Sequence, residues 1–294
     1  MIERFLDFIA IEKGYSKHTQ VAYKKNLLEF KLYLNLFTNT TDLDEVNYQD
    51  VRDWMVHLSE IKENTSRTIN RKVSVLRSYY KFLLQINHIE KSPVKKIKFI
   101  NTSKKIPLPF TKDEMNQVLE LTHFKNDPHG VLKRTIIALL YYTGIRRNEL
   151  VSIQEENLHL NAKYIKVFGK RSKERLVPLV SEAIHLLQLY VDWRKEVGSA
   201  SPFLFIKKNG QKISESFVYR TINDYFNLVS TKQNRSPHLI RHSFASHLLD
   251  EGADLNAIKD LMGHQSVSST EIYTHTSIAS LKKVYQLAHP REKK

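Results

Sequence analysis

The hydrophobic pattern of this chain is helical along most of its length. Ile2, Phe5, Leu6 and Ile9 recur at i, i+3, i+4 and i+7, the stripe of an amphipathic helix. Further helices are predicted over about 17–36, 47–60 and 65–87, with Ser16 and Asn64 as candidate N-caps. The pattern breaks over 91–110, KSPVKKIKFINTSKKIPLPF, which holds three prolines (Pro93, Pro107, Pro109), six lysines and no acid. Proline fixes φ and removes a donor, so an extended linker is expected there. Thr111-Lys-Asp-Glu114 then forms a capping box that opens the next helix, and helical runs follow at about 131–143 and 146–152. Tyr164-Ile-Lys-Val-Phe168 alternates, Gly169 interrupts, and Arg175-Leu-Val-Pro-Leu179 resumes, which predicts a β-hairpin. Pro178 confines its second strand to a sheet edge. Helical patterns return at about 181–196, 215–229, 238–250, 254–262 and 278–288. The expected fold class is mainly α: a helical bundle over 1–92, a linker over 93–110, and over 111–294 a mostly helical domain with one small antiparallel β-sheet. A length of 294 residues agrees with two domains.

Composition narrows the functional classes. The absence of cysteine excludes disulfides, thiol catalysis and cysteine-based metal sites. The first fifteen residues mix acids with bases and lack the apolar core of a signal peptide. The most apolar run, Thr135 to Ile145, has 11 residues against the roughly 20 that a spanning helix needs, so no membrane partner is expected. Charge is the informative quantity, because 46 Lys+Arg against 31 Asp+Glu leave +15. Residues 62–105 hold 12 bases opposed only by Glu63 and Glu90. On the 65–87 helix, Arg67 with Arg71 and Arg77 with Lys81 stand at i, i+4, and Lys72 lies beside them. Such like-charge pairs destabilise an isolated helix. A phosphate backbone would offset that cost, and each neutralised phosphate adds affinity through counterion release. A plain solvated face explains the same charges, so composition leaves nucleic acid and solvent as alternatives.

Several clusters carry candidate chemistry, each open to a blander reading. In Thr143-Gly-Ile-Arg146-Arg147-Asn-Glu149, a glutamate three residues on can hold Arg146, either as a surface ion pair or as part of a site. Lys170 follows Gly169 in the hairpin turn, where a lysine reaches a cleft or stays solvated, and Lys173 competes for any such role. In Pro237-His238-Leu-Ile-Arg241, His238 and Arg241 share a face near a helix N-terminus, where exposed N–H groups and the dipole favour an anion. A satisfied structural histidine is the more common reading of such a motif taken alone. Gly263-His264 ends a helix, and Tyr273 follows nine residues after His264. No HExxH, GxxxxGK[ST] or GxSxG string is present, so zincin, P-loop and serine-hydrolase readings lack their parts. His238, His242 and His247 suggest a metal only until Arg241 among them is weighed, since it repels a cation. What the clusters share is a positive site without a metal, suited to a phosphodiester.

The ordered set Arg146, Lys170, His238-x-x-Arg241, His264 and Tyr273, in the strings TGIRRNEL, FGKRSKERLVPL, PHLIRHSFASHLLDEGADLNAIKDLMGH and SSTEIYTH, resembles the active-site signature of tyrosine recombinases of the phage integrase family. Within it the chain is most similar to the Xer group, and VYQLAHPREKK resembles a XerC-type C-terminus. The resemblance implies a SAM-like helical core-binding domain, a linker and a catalytic domain that clamp double-stranded DNA at a specific recombination site. It implies that Tyr273 is the nucleophile, that Arg146 and Arg241 bind the phosphate, that Lys170 is the general acid, and that His238 and His264 assist. No cofactor or metal is expected, nor ATP. The expected partners are DNA, a homo- or heterotetramer with a second Xer-type recombinase, and a septal DNA translocase. The expected place is the cytoplasm, at the nucleoid. Chromosome-dimer resolution leads, with a mobile-element integrase, a type IB topoisomerase and a non-catalytic architectural DNA binder as alternatives. Arg67, Arg71, Lys72, Arg77 and Lys81 are the expected DNA contacts. Ile278, Leu281, Val284, Tyr285 and Ala288 form an apolar stripe that in this family docks a helix into a neighbouring subunit, or else packs on its own domain.

Overall fold

The computed structural model describes residues 1–38, 42–102, 107–120, 124, 127–169 and 174–263, so the predicted helix at 278–288 lies outside the described residues. The chain divides into two compact units, Met1–Lys105 and Ile106–Lys294. The first holds α1 (Ile2–Ile11), α2 (Lys17–Phe37), α3 (Tyr48–Glu60) and α4 (Ser66–Gln85). Their apolar stripes converge on a core that includes Phe5, Phe30, Trp54, Tyr79 and Leu83. Ser16 caps α2 as the sequence predicts, accepting from the Thr19 N–H at 3.3 Å. The α4 cap is Thr65, not Asn64. Asn64 is still occupied by the end of α3, where its N–H donates to the Leu58 carbonyl at 2.9 Å and Glu63 takes φ +49°. The next helix therefore starts one residue later.

The stretch 91–102 departs from the expected extended linker. Pro93 to Lys96 form a turn. Val94 and Ile97 are buried in the first unit's core, with Ile100 packed against it. The Asn70 side chain of α4 clasps the Ile100 backbone from both sides, donating to its carbonyl at 2.8 Å and accepting its N–H at 2.9 Å. At the other end Phe110 is fully buried in the second unit's core, and its N–H donates to Ser243 Oγ at 2.7 Å.

The second unit runs α5 (Lys112–Glu120), α6 (Pro128–Thr143), α7 (Arg147–Val151), a short 3-10 turn, β1 (Leu158–His159), β2 (Tyr164–Phe168), β3 (Glu174–Pro178), α8 (Ser181–Val197), α9 (Glu215–Phe226), α10 (Pro237–Asp250) and α11 (Leu255–Met262). The fold is thus mainly α with one small antiparallel sheet, in the order β1-β2-β3. The predicted hairpin is β2–β3, with Ile165 opposite Val177 and Val167 opposite Arg175. Pro178 lies on the edge strand, where its missing donor costs no ladder bond. The capping box at α5 is formed in full, with Thr111 N–H donating to Glu114 at 2.7 Å and Glu114 N–H to Thr111 Oγ1 at 3.1 Å. The apolar run after Arg134 is the central helix α6, buried from Thr135 to Thr143. Among the described residues no helix is long and apolar enough to cross a membrane. Gly144 ends α6 at φ +59°, and a Cβ there would lie 2.3 Å from the Phe244 ring, so the position requires glycine.

Candidate active site

The site begins where α6 stops. Because Gly144 turns the chain sharply, Arg146 leads into α7 as its N-cap residue. Glu149, one turn on, accepts the Arg146 backbone N–H at 2.8 Å and its Nη1 at 2.8 Å. The pair proposed from the sequence is therefore formed, and it is buried on the glutamate side, whose side chain is 4% exposed. A second arginine meets the same carboxylate. Arg175, on the inward face of β3, donates Nη1 and Nη2 to the two Glu149 oxygens at 3.0 and 2.8 Å, a bidentate fork.

Arg241 arrives from α10. Pro237 at the first helical position and Ser236 as N-cap, its Oγ accepting the Leu239 N–H at 3.3 Å, start that helix. One turn in, Arg241 is buried and donates to the Gly144 carbonyl through Nη1 and to the Met262 carbonyl through Nη2. His238, one turn earlier, is exposed at the helix N-terminus.

The C-terminus of α11 joins these groups. Helix ends leave carbonyls without intrahelical partners. Here three consecutive ones each accept from a different arginine: Leu261 from Arg175 Nε at 3.1 Å, Met262 from Arg241, and Gly263 from Arg146 Nη2 at 3.1 Å. Gly263 takes φ +63°, and a Cβ on it would come within 3.0 Å of Arg175 Nη1, so close approach and backbone conformation both favour glycine.

The electrostatics follow from that inventory. Three guanidinium groups face one carboxylate, with carbonyl dipoles making up the remaining acceptors. Burial pulls the Arg241 pKa down to about 10, the neighbouring Arg146 cation adds to this, Glu149 opposes it and Arg175 reinforces it. Burial alone would raise the Glu149 pKa, but the Arg175 fork, the Arg175 charge and the Arg146 bonds together hold it below the usual carboxylate value. A cluster with surplus positive charge and fixed N–H donors has the chemistry to hold an anion with several oxygens.

Of the six residues assigned by sequence, the structure thus brings Arg146 and Arg241 together and places His238 at the N-terminus of the same helix as Arg241. Lys170, His264 and Tyr273 lie outside the described residues. Arg175 was not anticipated. The available signal was strand parity, since Arg175 shares a face with Val177 and so points into the domain. His247, weighed as a metal ligand, instead faces inward and bonds the Tyr141 hydroxyl at 3.0 Å.

The five cations expected to contact DNA on α4 differ in their surroundings. Arg67, Arg71 and Lys81 are exposed. Lys72 is buried, ion-paired to Glu29 and 5.9 Å from the Trp54 ring centroid. Arg77 donates to the Ile97 carbonyl and lies 4.0 Å over the Phe99 ring. Both hold the helix to its own unit, because each found a partner distant in sequence.

Comparison with known proteins identifies the family. The model of the phage integrase family matches residues 109–279, and that of the phage integrase N-terminal SAM-like domain matches residues 2–87. Tyrosine recombinase XerD of Staphylococcus epidermidis is 33% identical over 294 residues, 99% of this chain and 99% of that protein. Tyrosine recombinase XerC of Bacillus pumilus is 35% identical over 297 residues, 99% of this chain and 96% of that protein. Among solved structures, XerH site-specific recombinase bound to palindromic difH substrate in a post-cleavage complex shares the fold with a TM-score of 0.72, at 20% identity, over 96% of this chain and 83% of that one. With residues 109–279 matched by the family model and 99% of its length by these relatives, this chain belongs to the phage integrase family of tyrosine recombinases.

Proposed function

We propose that the chain is a Xer-type site-specific DNA recombinase that uses the Arg146–Arg241 pair to hold the scissile phosphate. One observation carries this reading: two arginines from different helices converge on the same helix end, inside a cluster whose positive charge exceeds its negative charge. In the transition state of phosphoryl transfer, charge grows on the non-bridging oxygens, and preorganised donors stabilise it. Tyr273 attacks phosphorus through its phenolic oxygen, its proton passing toward His238. The bond from phosphorus to the 5′-oxygen breaks, and that oxygen takes a proton from Lys170. His264 donates to the phosphate. The product is a 3′-phosphotyrosyl link with a free 5′-hydroxyl. The link preserves the energy of the phosphodiester, so the 5′-hydroxyl of a second duplex can attack it without ATP. Two such rounds exchange strands through a Holliday junction within a tetramer, homomeric or shared with a second recombinase. Resolution of chromosome dimers, with a septal DNA translocase as partner and the nucleoid as the place of action, is the role that fits relatives named XerC and XerD.

The test needs no knowledge of the DNA site. The protein is incubated with fragmented host genomic DNA in EDTA, alone and with a second recombinase. Covalent adducts are captured after denaturation and sequenced, with Tyr273→Phe as control. Adducts at one chromosomal locus, lost in the control, are expected. Adducts at element ends would replace dimer resolution by integration of a mobile element. DNA binding without adducts in both arms overturns the enzymatic reading in favour of an architectural role.

A further inference from the structure

We infer that Arg175 is a positioning residue for strand cleavage: it neutralises and pins Glu149 so that the Arg146 guanidinium remains available to the phosphate. This rests on the phosphate-binding role given to Arg146 above.

Arg175 is 7% exposed, and its inward position on β3 is one that sheet patterning ordinarily reserves for an apolar side chain, as at Val177 on the same face. A buried charge is retained only when its partners are good. Its partners here are the two Glu149 oxygens and the Leu261 carbonyl, at 3.0, 2.8 and 3.1 Å. Three of its five N–H groups are taken up by Glu149 and α11, and its side chain is 7% exposed against 37% for Arg146, so its effect on a bound phosphate passes through Arg146.

Glu149 divides its two oxygens between both arginines. Oε1 accepts from both Arg146 Nη1 and Arg175 Nη1, while Oε2 accepts from the Arg146 backbone N–H and Arg175 Nη2. Arg146 therefore contributes one side-chain nitrogen to the carboxylate, and its Nη2 turns to the Gly263 carbonyl. Without Arg175, a buried carboxylate 4% exposed would have Arg146 as its remaining cationic partner among these groups. It would then draw the Arg146 fork into its own bidentate pair, the geometry that carboxylates and phosphates compete for. Arg175 occupies that bidentate position first. Its Nε bond also ties β3 to the end of α11, so strand and helix are fixed relative to α7 by one side chain.

The test compares the rate of covalent adduct formation on the genomic fragments, and the affinity for the same fragments, among wild type, Arg146→Ala, Arg175→Met, Arg175→Lys and the double variant Arg175→Met/Glu149→Gln. Folding is followed by circular dichroism. Displacing a positioned group by about an ångström costs on the order of 100-fold in rate, so Arg175→Met is expected to slow adduct formation by about that factor while affinity stays within about threefold. Removing the carboxylate charge in the double variant frees Arg146 and is expected to restore roughly tenfold of the rate. A merely structural arginine would not be rescued by a second change to its own partner. Should Arg175→Met fail to fold, Arg175→Lys, alone and with Glu149→Gln, keeps the buried charge and makes the same comparison. A double variant no faster than the single one overturns the inference. So does Arg175→Met at the wild-type rate when Arg146→Ala is inactive. If Arg146→Ala itself cleaves normally, the phosphate-binding reading fails instead, and wild type without adducts removes both.

Discussion

The α4 helix and the cluster at the end of α11 are both rich in cations, yet they hold them in opposite ways. On α4, Arg67, Arg71 and Lys81 extend into solvent, where their number and spacing set the surface field. At α11, Arg146, Arg175 and Arg241 are gripped by one carboxylate and a series of main-chain carbonyls, and two of the three are buried. The first arrangement suits a long anion met in many registers, because flexible exposed cations neutralise phosphates without fixing them. The second suits one phosphate met in one geometry. Counting basic residues does not separate the two, whereas asking what each cation is bonded to does.

The largest predicted effect breaks the gripped cluster. Glu149→Ala leaves Arg175 buried without its carboxylate and is expected to cost about 3–5 kcal/mol of stability, read from urea unfolding, whereas Arg67→Ala should change it by less than about 0.5 kcal/mol. Next, Arg241→Ala should slow covalent adduct formation by about 100- to 1,000-fold, as the removal of one preorganised donor does elsewhere. The exposed set answers to a different measurement. Arg67→Ala with Arg71→Ala should lower the slope of log affinity against log salt by about 2, with cleavage of bound DNA unchanged, while Lys72→Ala should leave that slope alone and lower stability.

Acid probes the second unit, where the pKa values of His247 and Glu149 are both lowered. Burial lowers the His247 pKa below its ordinary 6.5. The unfolded chain therefore binds that proton first, and stability falls as pH drops below about 6.5. Glu149 is also lowered, so the stability it contributes is present above about 4.5 and is lost as pH falls through its folded value. Urea midpoints between pH 8 and 3 should decline in these two stages, and His247→Gln should shrink the upper one, to which His129, also lowered by burial, contributes. Smallest is Thr111→Ala at the α5 cap, worth about 1 kcal/mol.

The helices were legible because a 3.6-residue apolar period and short polar caps are local properties. The hairpin was legible for the same reason, with Gly169 marking its turn. What escaped depends on contacts across the chain. The two-residue strand β1 is too short to carry a period. Val94, Ile97 and Ile100 recur every third residue, but prolines and lysines around them suggested a connector, and their packing needs Asn70 of α4. Lys72 read as a surface cation because its partner, Glu29, lies on another helix. In the site, Arg146, Glu149 and Arg241 were legible from short motifs, while Arg175 was hidden because its partner, Glu149, lies 26 residues away on another element.

The grip at Leu261, Met262 and Gly263 has a consequence for heredity. Its acceptors are peptide oxygens, which every amino acid carries, so no codon specifies them. Mutation can delete an arginine in one step, but it can remove these acceptors only by bending the helix end. Among related sequences the donors would therefore stand out and their acceptors leave no trace, apart from the small residue that the crowded turn at Gly263 demands.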